Sequence, residues 1–162
     1  MVRYLSILLC LIVIPCSLAA EQLSRSFVLD WKVAGDYVTF DIEARTLGWV
    51  GLGFNDRESM KGADIVVAGV SSGASYAYDL HGVAHDQPPA DSQQDYNVLS
   101  ASQNATHTVL SIRRRLDTGD SDDHKLQVGS SVTVLWAVGS DNARSIYSFD
   151  YHSNRGGKVV TL

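Results

Sequence analysis

Short runs in which apolar and polar residues alternate, with no stretch at helical spacing, most limit what this chain can fold into. Phe27, Leu29, Trp31 and Val33 alternate with smaller or polar neighbours, and Val38, Phe40, Ile42 and Ala44 alternate with Thr39, Asp41 and Glu43. A period of two puts each apolar set on one face of a strand. The intervening Ala34-Gly35-Asp36 is a turn signal, so the two runs read as a hairpin. The same reasoning predicts strands over 49–54, 63–70, 75–80, 96–100, 106–116, 131–138 and 157–162. A polar loop over 81–94 carries Pro88-Pro89. The expected fold is all-β, an immunoglobulin-like antiparallel sandwich of roughly nine to ten strands.

The first residues stand apart from this pattern. Arg3 gives a positive start, residues 5–15 are almost wholly apolar, and small residues follow up to Ala20. That is the layout of a secretory signal peptide over 1–19, with cleavage after Ala19 or Ala20. The apolar run is short for a membrane span, and no later segment is long and apolar enough for one. The remaining residues, 20–162, suit a single domain, with its core over about 25–140 and a C-terminal segment over 141–162 that carries one more strand. Without Arg3 the 13 basic residues fall to 12 against 18 acidic ones, so the formal charge moves from −5 to −6. An acidic chain with no basic run is a poor match for nucleic acid or an anionic membrane. Both cysteines, Cys10 and Cys16, lie in the expected signal peptide. The secreted chain is therefore expected to lack thiolate chemistry, cysteine metal sites and disulfides.

One stretch carries the most specific signal. In Gly48-Trp49-Val50-Gly51-Leu52-Gly53-Phe54, Val50, Leu52 and Phe54 share one face and glycines thin out much of the other, as where a ligand or another backbone comes close. A polar turn then leads to Met60-Lys61-Gly62-Ala63-Asp64-Ile65-Val66-Val67. Gln93-Gln94-Asp95-Tyr96, Thr106-His107-Thr108-Val109-Leu110, Arg114-Arg115-Leu116-Asp117-Thr118 and Ser153-Asn154-Arg155-Gly156 follow in order. This collinear set resembles the DOMON domain, named for the N-terminal domain of dopamine β-monooxygenase. Two departures stand out. Gly119 occupies the place of a cysteine usual in that group, which removes the disulfide the resemblance implies. The sequence also reaches Leu162 without the histidine and methionine clusters of a copper catalytic domain, so the resemblance implies a non-catalytic module.

The wider DOMON superfamily includes cytochrome domains that hold haem b between a methionine in an early inter-strand loop and a histidine near the domain's end. By order and local motif, that resemblance points to Met60 and His152 as axial ligands of haem b. A methionine–histidine pair closes both axial positions and raises the potential, which suits electron transfer. The monooxygenase-type domains, which the chain resembles more closely, are not known to use haem. The alternative is a haem-free recognition module for a sugar, a small phenolic ligand or a protein partner, with Trp49, Tyr76 and Tyr78 as aromatic contacts.

Other candidates carry less. His81 and His85 are four apart, but Gly82 and a strand-to-loop context remove the helical geometry that would bring both to one metal. The run Asp117, Asp120, Asp122 and Asp123 lacks the glycine placement and closing glutamate of a calcium loop. Asn104-Ala105-Thr106 is the sole N-glycosylation sequon, in a polar stretch where an acceptor should be exposed. No nucleophile elbow or phosphate-cradling loop is present. The sequence thus reads as a secreted, extracellular, non-enzymatic DOMON module. Its ligand is haem b with a redox partner, or a small molecule or protein, and no metal is expected beyond haem iron.

Overall fold

Strands that alternate along their length leave one face apolar, and stacking two sheets buries both such faces at once. The structure, a computed structural model, describes residues 20–143 and 145–162. The expected signal peptide lies outside the described residues. Among the described residues ten strands follow in order: β1 Glu21–Ser24, β2 Phe27–Ala34, β3 Tyr37–Ala44, β4 Val50–Asn55, β5 Asp64–Ser71, β6 Ala74–His81, β7 Asn97–Gln103, β8 Thr108–Arg115, β9 Ser131–Gly139 and β10 His152–Thr161. They form two five-stranded sheets, ordered β1-β2-β3-β8-β7 and β10-β9-β4-β5-β6, with every neighbouring pair antiparallel. The antiparallel sandwich expected from the alternation is the fold. Strand β1 is an addition to that expectation, and β10 starts at His152 rather than near Gly157.

The two sheets are buried differently. In the first sheet Phe27, Leu29 and Trp31 of β2, Val38, Phe40 and Ile42 of β3, and Leu110 and Ile112 of β8 point inward, while their neighbours are more exposed. In the second sheet β4 is buried at every residue and β5 at its first six, so these strands are covered on both faces. Val50, Leu52, Phe54 and Val66 meet the first sheet, with the Phe40 and Phe54 rings 5.0 Å apart across the gap. Ile65 and Val67 point the other way and join Trp49, Ala63, Leu80 and Ala143 in a second, smaller cluster on the outer face. Runs such as Ile65-Val66-Val67-Ala68 follow from this, because a strand buried on both sides has no polar face.

One end of the sandwich is closed by charge. Arg114 sits at the inward register of β8, is 0% exposed, and reaches Asp64 of β5, also 0% exposed. Tyr96 donates to Asp64 Oδ1 at 2.9 Å, and the His124 backbone N–H donates to Oδ2 at 3.1 Å. Arg114 also donates to the Arg115 carbonyl at 3.0 Å and to the His124 carbonyl, so the guanidinium is bonded on several sides. Burial works against its charge, but the Tyr96 hydroxyl and the Asp64 and Asp123 carboxylates outweigh that and hold it protonated. At the seam, Lys158 of β10 donates to Glu21 of β1 at 2.6 Å.

Removing one member of a buried pair leaves the other charge without compensation, at a cost of about 3–5 kcal/mol. Urea unfolding of Arg114→Met should show a loss of that size. The double variant Arg114→Met/Asp64→Leu should recover part of it, because Asp64 is then no longer a buried charge without a partner, while Asp123, 3.6 Å from the Arg114 guanidinium, still loses its cation.

Candidate functional site

The outer face of the second sheet carries a cavity of about 530 Å³. Its floor is a block of three strands in register. Gly51 and Gly53 of β4 lie between Val67 and Ile65 of β5 on one side and Ala137 and Leu135 of β9 on the other. The two glycines add no side chain in the middle of this floor, so a trough remains between the flanking apolar groups. Three segments form the walls: Glu58 to Met60 after β4, His85 to Pro88 after β6, and Phe149 to His152 at the start of β10. The volume falls within the range of small-molecule sites.

Met60 is held in its wall by backbone contacts. The Asn55 side chain donates to the carbonyls of Ser59 at 2.6 Å and Lys61 at 3.2 Å, which curls the loop. Gly62 N–H donates to Gly82 O at 2.6 Å, and Gly82 N–H donates to Ala63 O at 2.8 Å, which pins the loop to the end of β6. A Cβ at Gly82 would stand 1.7 Å from the Met60 carbonyl, so only glycine permits this approach. His152 is placed from the other side. Trp49 Nε1 donates to the Asp150 carbonyl at 3.1 Å, and its ring meets Phe149 edge-on at 5.5 Å. Burial and then the Arg155 charge hold the His152 imidazole below its ordinary range, which favours the neutral ring with a free lone pair.

Met60 and His152, 92 positions apart, thus line one cavity. Trp49 lines it as well, whereas Tyr76 and Tyr78 stack on each other at 5.0 Å, and the Tyr76 hydroxyl accepts the Ala143 N–H at 3.0 Å. His81 and His85 part company: His85 lines the cavity, and His81 lies 3.7 Å from Asp91 and 3.9 Å from Asp122. Asn104 is exposed between β7 and β8, and its Oδ1 accepts the N–H groups of Thr106 and His107, both at 2.8 Å.

A family model for the DOMON domain matches residues 23–139. The chain belongs to the DOMON domain family. Human DBH-like monooxygenase protein 1 is 37% identical over 134 residues, which are 83% of this chain and 22% of that protein. MOXD1 homolog 2 of Drosophila melanogaster is 34% identical over 142 residues, 86% of this chain and 17% of the relative. The DOMON chain therefore spans a minor part of these relatives' length. Among solved structures, the cytochrome domain of Myriococcum thermophilum cellobiose dehydrogenase superposes with a TM-score of 0.68 at 14% identity, covering 88% of this chain and 79% of that one. The cytochrome b domain of pyranose dehydrogenase from Coprinopsis cinerea gives 0.63 at 15% identity, covering 83% and 75%. At such identities the likeness is one of fold.

The DOMON sandwich also gathers carboxylates around the Arg114 end. Oxygens of Asp64, Asp79 and Asp123 lie within 4.8 Å of one another. The inward alternation of Leu110, Ile112 and Arg114 was the sequence signal for this cluster, since an arginine at a core position requires a buried acid. Burial pushes the Asp64 carboxyl up to about 6 despite Arg114. Asp79, 1% exposed, is pushed further, to about 8, by burial and by the nearby charges of Asp123, Asp64 and Asp91, against one hydrogen bond from the Asp95 N–H.

Between 3.8 and about 8 the folded chain holds a proton on Asp79 that the unfolded chain has released. This contribution to stability is complete below 3.8 and is lost as pH rises through about 8. Thermal melts in chelator-containing buffer should show the midpoint falling from about pH 5 to about pH 8.5, and Asp79→Asn, uncharged throughout, should flatten that slope. An unchanged slope in the variant would assign the titration to another group.

Proposed function

We propose that this chain is a secreted, non-catalytic DOMON module that holds haem b in the outer-face cavity and serves as an extracellular electron carrier. The observation that carries this reading is the convergence of Met60 and His152 on one apolar-floored cavity. The fold likeness to two domains named as cytochromes supports it. The residues fit the group: a thioether and a neutral imidazole are the ligand types of a high-potential haem. Gly51 and Gly53 leave the floor flat enough for a macrocycle, and Ile65, Val67 and Leu135 exclude water beside it. Arg155 at the wall offers a cation to the porphyrin carboxylates. Met60 and His152 would hold haem b there, and the group would supply reversible one-electron exchange.

A second reading rests on a different observation. Trp49, Phe149 and Tyr151 surround the same cavity with aromatic surface, which also suits a sugar or a small phenolic ligand. In that case the module recognises its ligand and carries no electrons.

Absorption spectra separate the two. Protein secreted from eukaryotic cells and supplied with haemin should show a Soret band and, after dithionite, sharp α and β bands. Met60→Ala and His152→Ala should each abolish the six-coordinate spectrum. A spectrum that stays featureless with haemin would remove the haem reading and leave the recognition module. In the same cells Asn104→Gln should migrate faster on a denaturing gel, by the mass of one glycan; unchanged mobility would mean the sequon is unused.

A further inference from the structure

A second cluster of metal-ligating atoms lies beside the Arg114 end and belongs to no site described so far. His81 closes β6, and its backbone N–H donates to the Pro89 carbonyl at 3.2 Å. Leu80 pairs with Ala90 in an isolated bridge, and the Asp91 N–H donates to the Asp79 carbonyl at 3.0 Å. These contacts fold the loop after β6 back along its own strand and bring the Asp91 carboxylate to the His81 ring. Asp122 arrives from the loop between β8 and β9. The three residues present His81 Nδ1, Asp91 Oδ2 and Asp122 Oδ2, and the imidazole nitrogen is 3.7 Å from the first oxygen and 3.9 Å from the second.

Those spacings are too long for hydrogen bonds. Asp91 is 6% exposed; its Oδ1 accepts the Gln93 N–H at 3.2 Å, but its Oδ2 has no hydrogen-bond partner, and neither has His81 Nδ1. A buried carboxylate oxygen without a partner is expensive unless a cation meets it. The neighbouring set of Asp64, Asp79 and Asp123 already contains the Arg114 guanidinium. Beyond the His81 imidazole itself, no cationic side chain pairs with Asp91 or Asp122 among the described residues. Ligand atoms about 2.0–2.2 Å from a tetrahedral ion stand about 3.3–3.6 Å apart. The two gaps to the imidazole nitrogen exceed this by a few tenths of an ångström at most, and all three ligand atoms lie within 4.8 Å of one another. Asp122, whose side chain is 49% exposed on a loop, has the freedom to close them.

We propose that His81, Asp91 and Asp122 bind one divalent transition-metal ion of the zinc class. One imidazole nitrogen with carboxylate oxygens suits zinc, whereas calcium and magnesium take oxygen ligands throughout. Three protein ligands leave a further position for water on the Asp122 side, where the cluster opens to solvent. The ion ties the end of β6 and the loop that follows it, which carries His85 to Pro88 along the cavity wall, to the loop between β8 and β9.

The test uses the whole chain, stripped with a chelator, dialysed, and titrated with zinc against a chromophoric competitor. One zinc per chain is expected, with a rise in melting temperature on binding. Cobalt substituted for zinc should give visible d–d bands. His81→Ala and Asp122→Asn should each weaken zinc binding about tenfold or more, since even outer-shell partners contribute that much. His107→Ala should leave it unchanged. Asp122 is half exposed, so its variant tests the site without risk to the fold. Stoichiometry well below one, or parental affinity in both ligand variants, would overturn the site and leave His81 as an ion-pair partner of Asp91 and Asp122.

Discussion

The contact between Arg114 and Asp64 sets the terms for the rest of the molecule. It joins β8 of one sheet to β5 of the other at a point where neither group reaches water. A hydrophobic interlayer alone tolerates sliding, because apolar contacts are non-directional. A guanidinium held by a carboxylate and two backbone carbonyls has only one solution. It therefore fixes how the sheets align, and it fixes β5 and the start of β6 with them. Both the loop carrying Met60 and the loop carrying His85 hang from those strands, so the walls of the outer-face cavity inherit their positions from a polar contact on the opposite face of the same sheet.

The second sheet has two different tasks on its two faces. Its inner side is filled by large groups such as Leu52, Phe54 and Trp136 and packs like any sandwich core. Its outer side is kept shallow by glycine at the middle strand and is covered by loops rather than by another sheet. That division separates stability from ligand binding. The inner face is free to be dense because the outer face supplies the space, and Trp49 braces the segment that leads into β10 without entering the inner core.

Much of this was legible in the residues. Strands β2, β3 and β8 show themselves by strict alternation, because one of their faces is wet. Strand β5 shows itself by a continuous apolar run, because neither face is. The glycine pattern of β4 marked the trough, and Met60 and His152 emerged from motif order. What escaped was set by tertiary pairing. Residues 152–156 read as polar, yet they form strand because β9 offers a partner edge. Strand β1 is short and joins only the edge of β2. The meeting of His81 with Asp91 and Asp122 depends on a loop folding back along its own strand, and no local spacing encodes that. The 81–94 segment reads as a polar connection, while in the fold its Asp91 is nearly fully buried.

The seam between Glu21 and Lys158 has a consequence for how such a sandwich can be used by evolution. The first strand and the last strand belong to different sheets, yet they lie against each other at one margin. A unit that opens and closes at the same margin can be spliced between unrelated segments with little disturbance to either, because the host chain is interrupted at one place only. Modularity of this kind needs no special linker. It is a geometric by-product of where two strands meet.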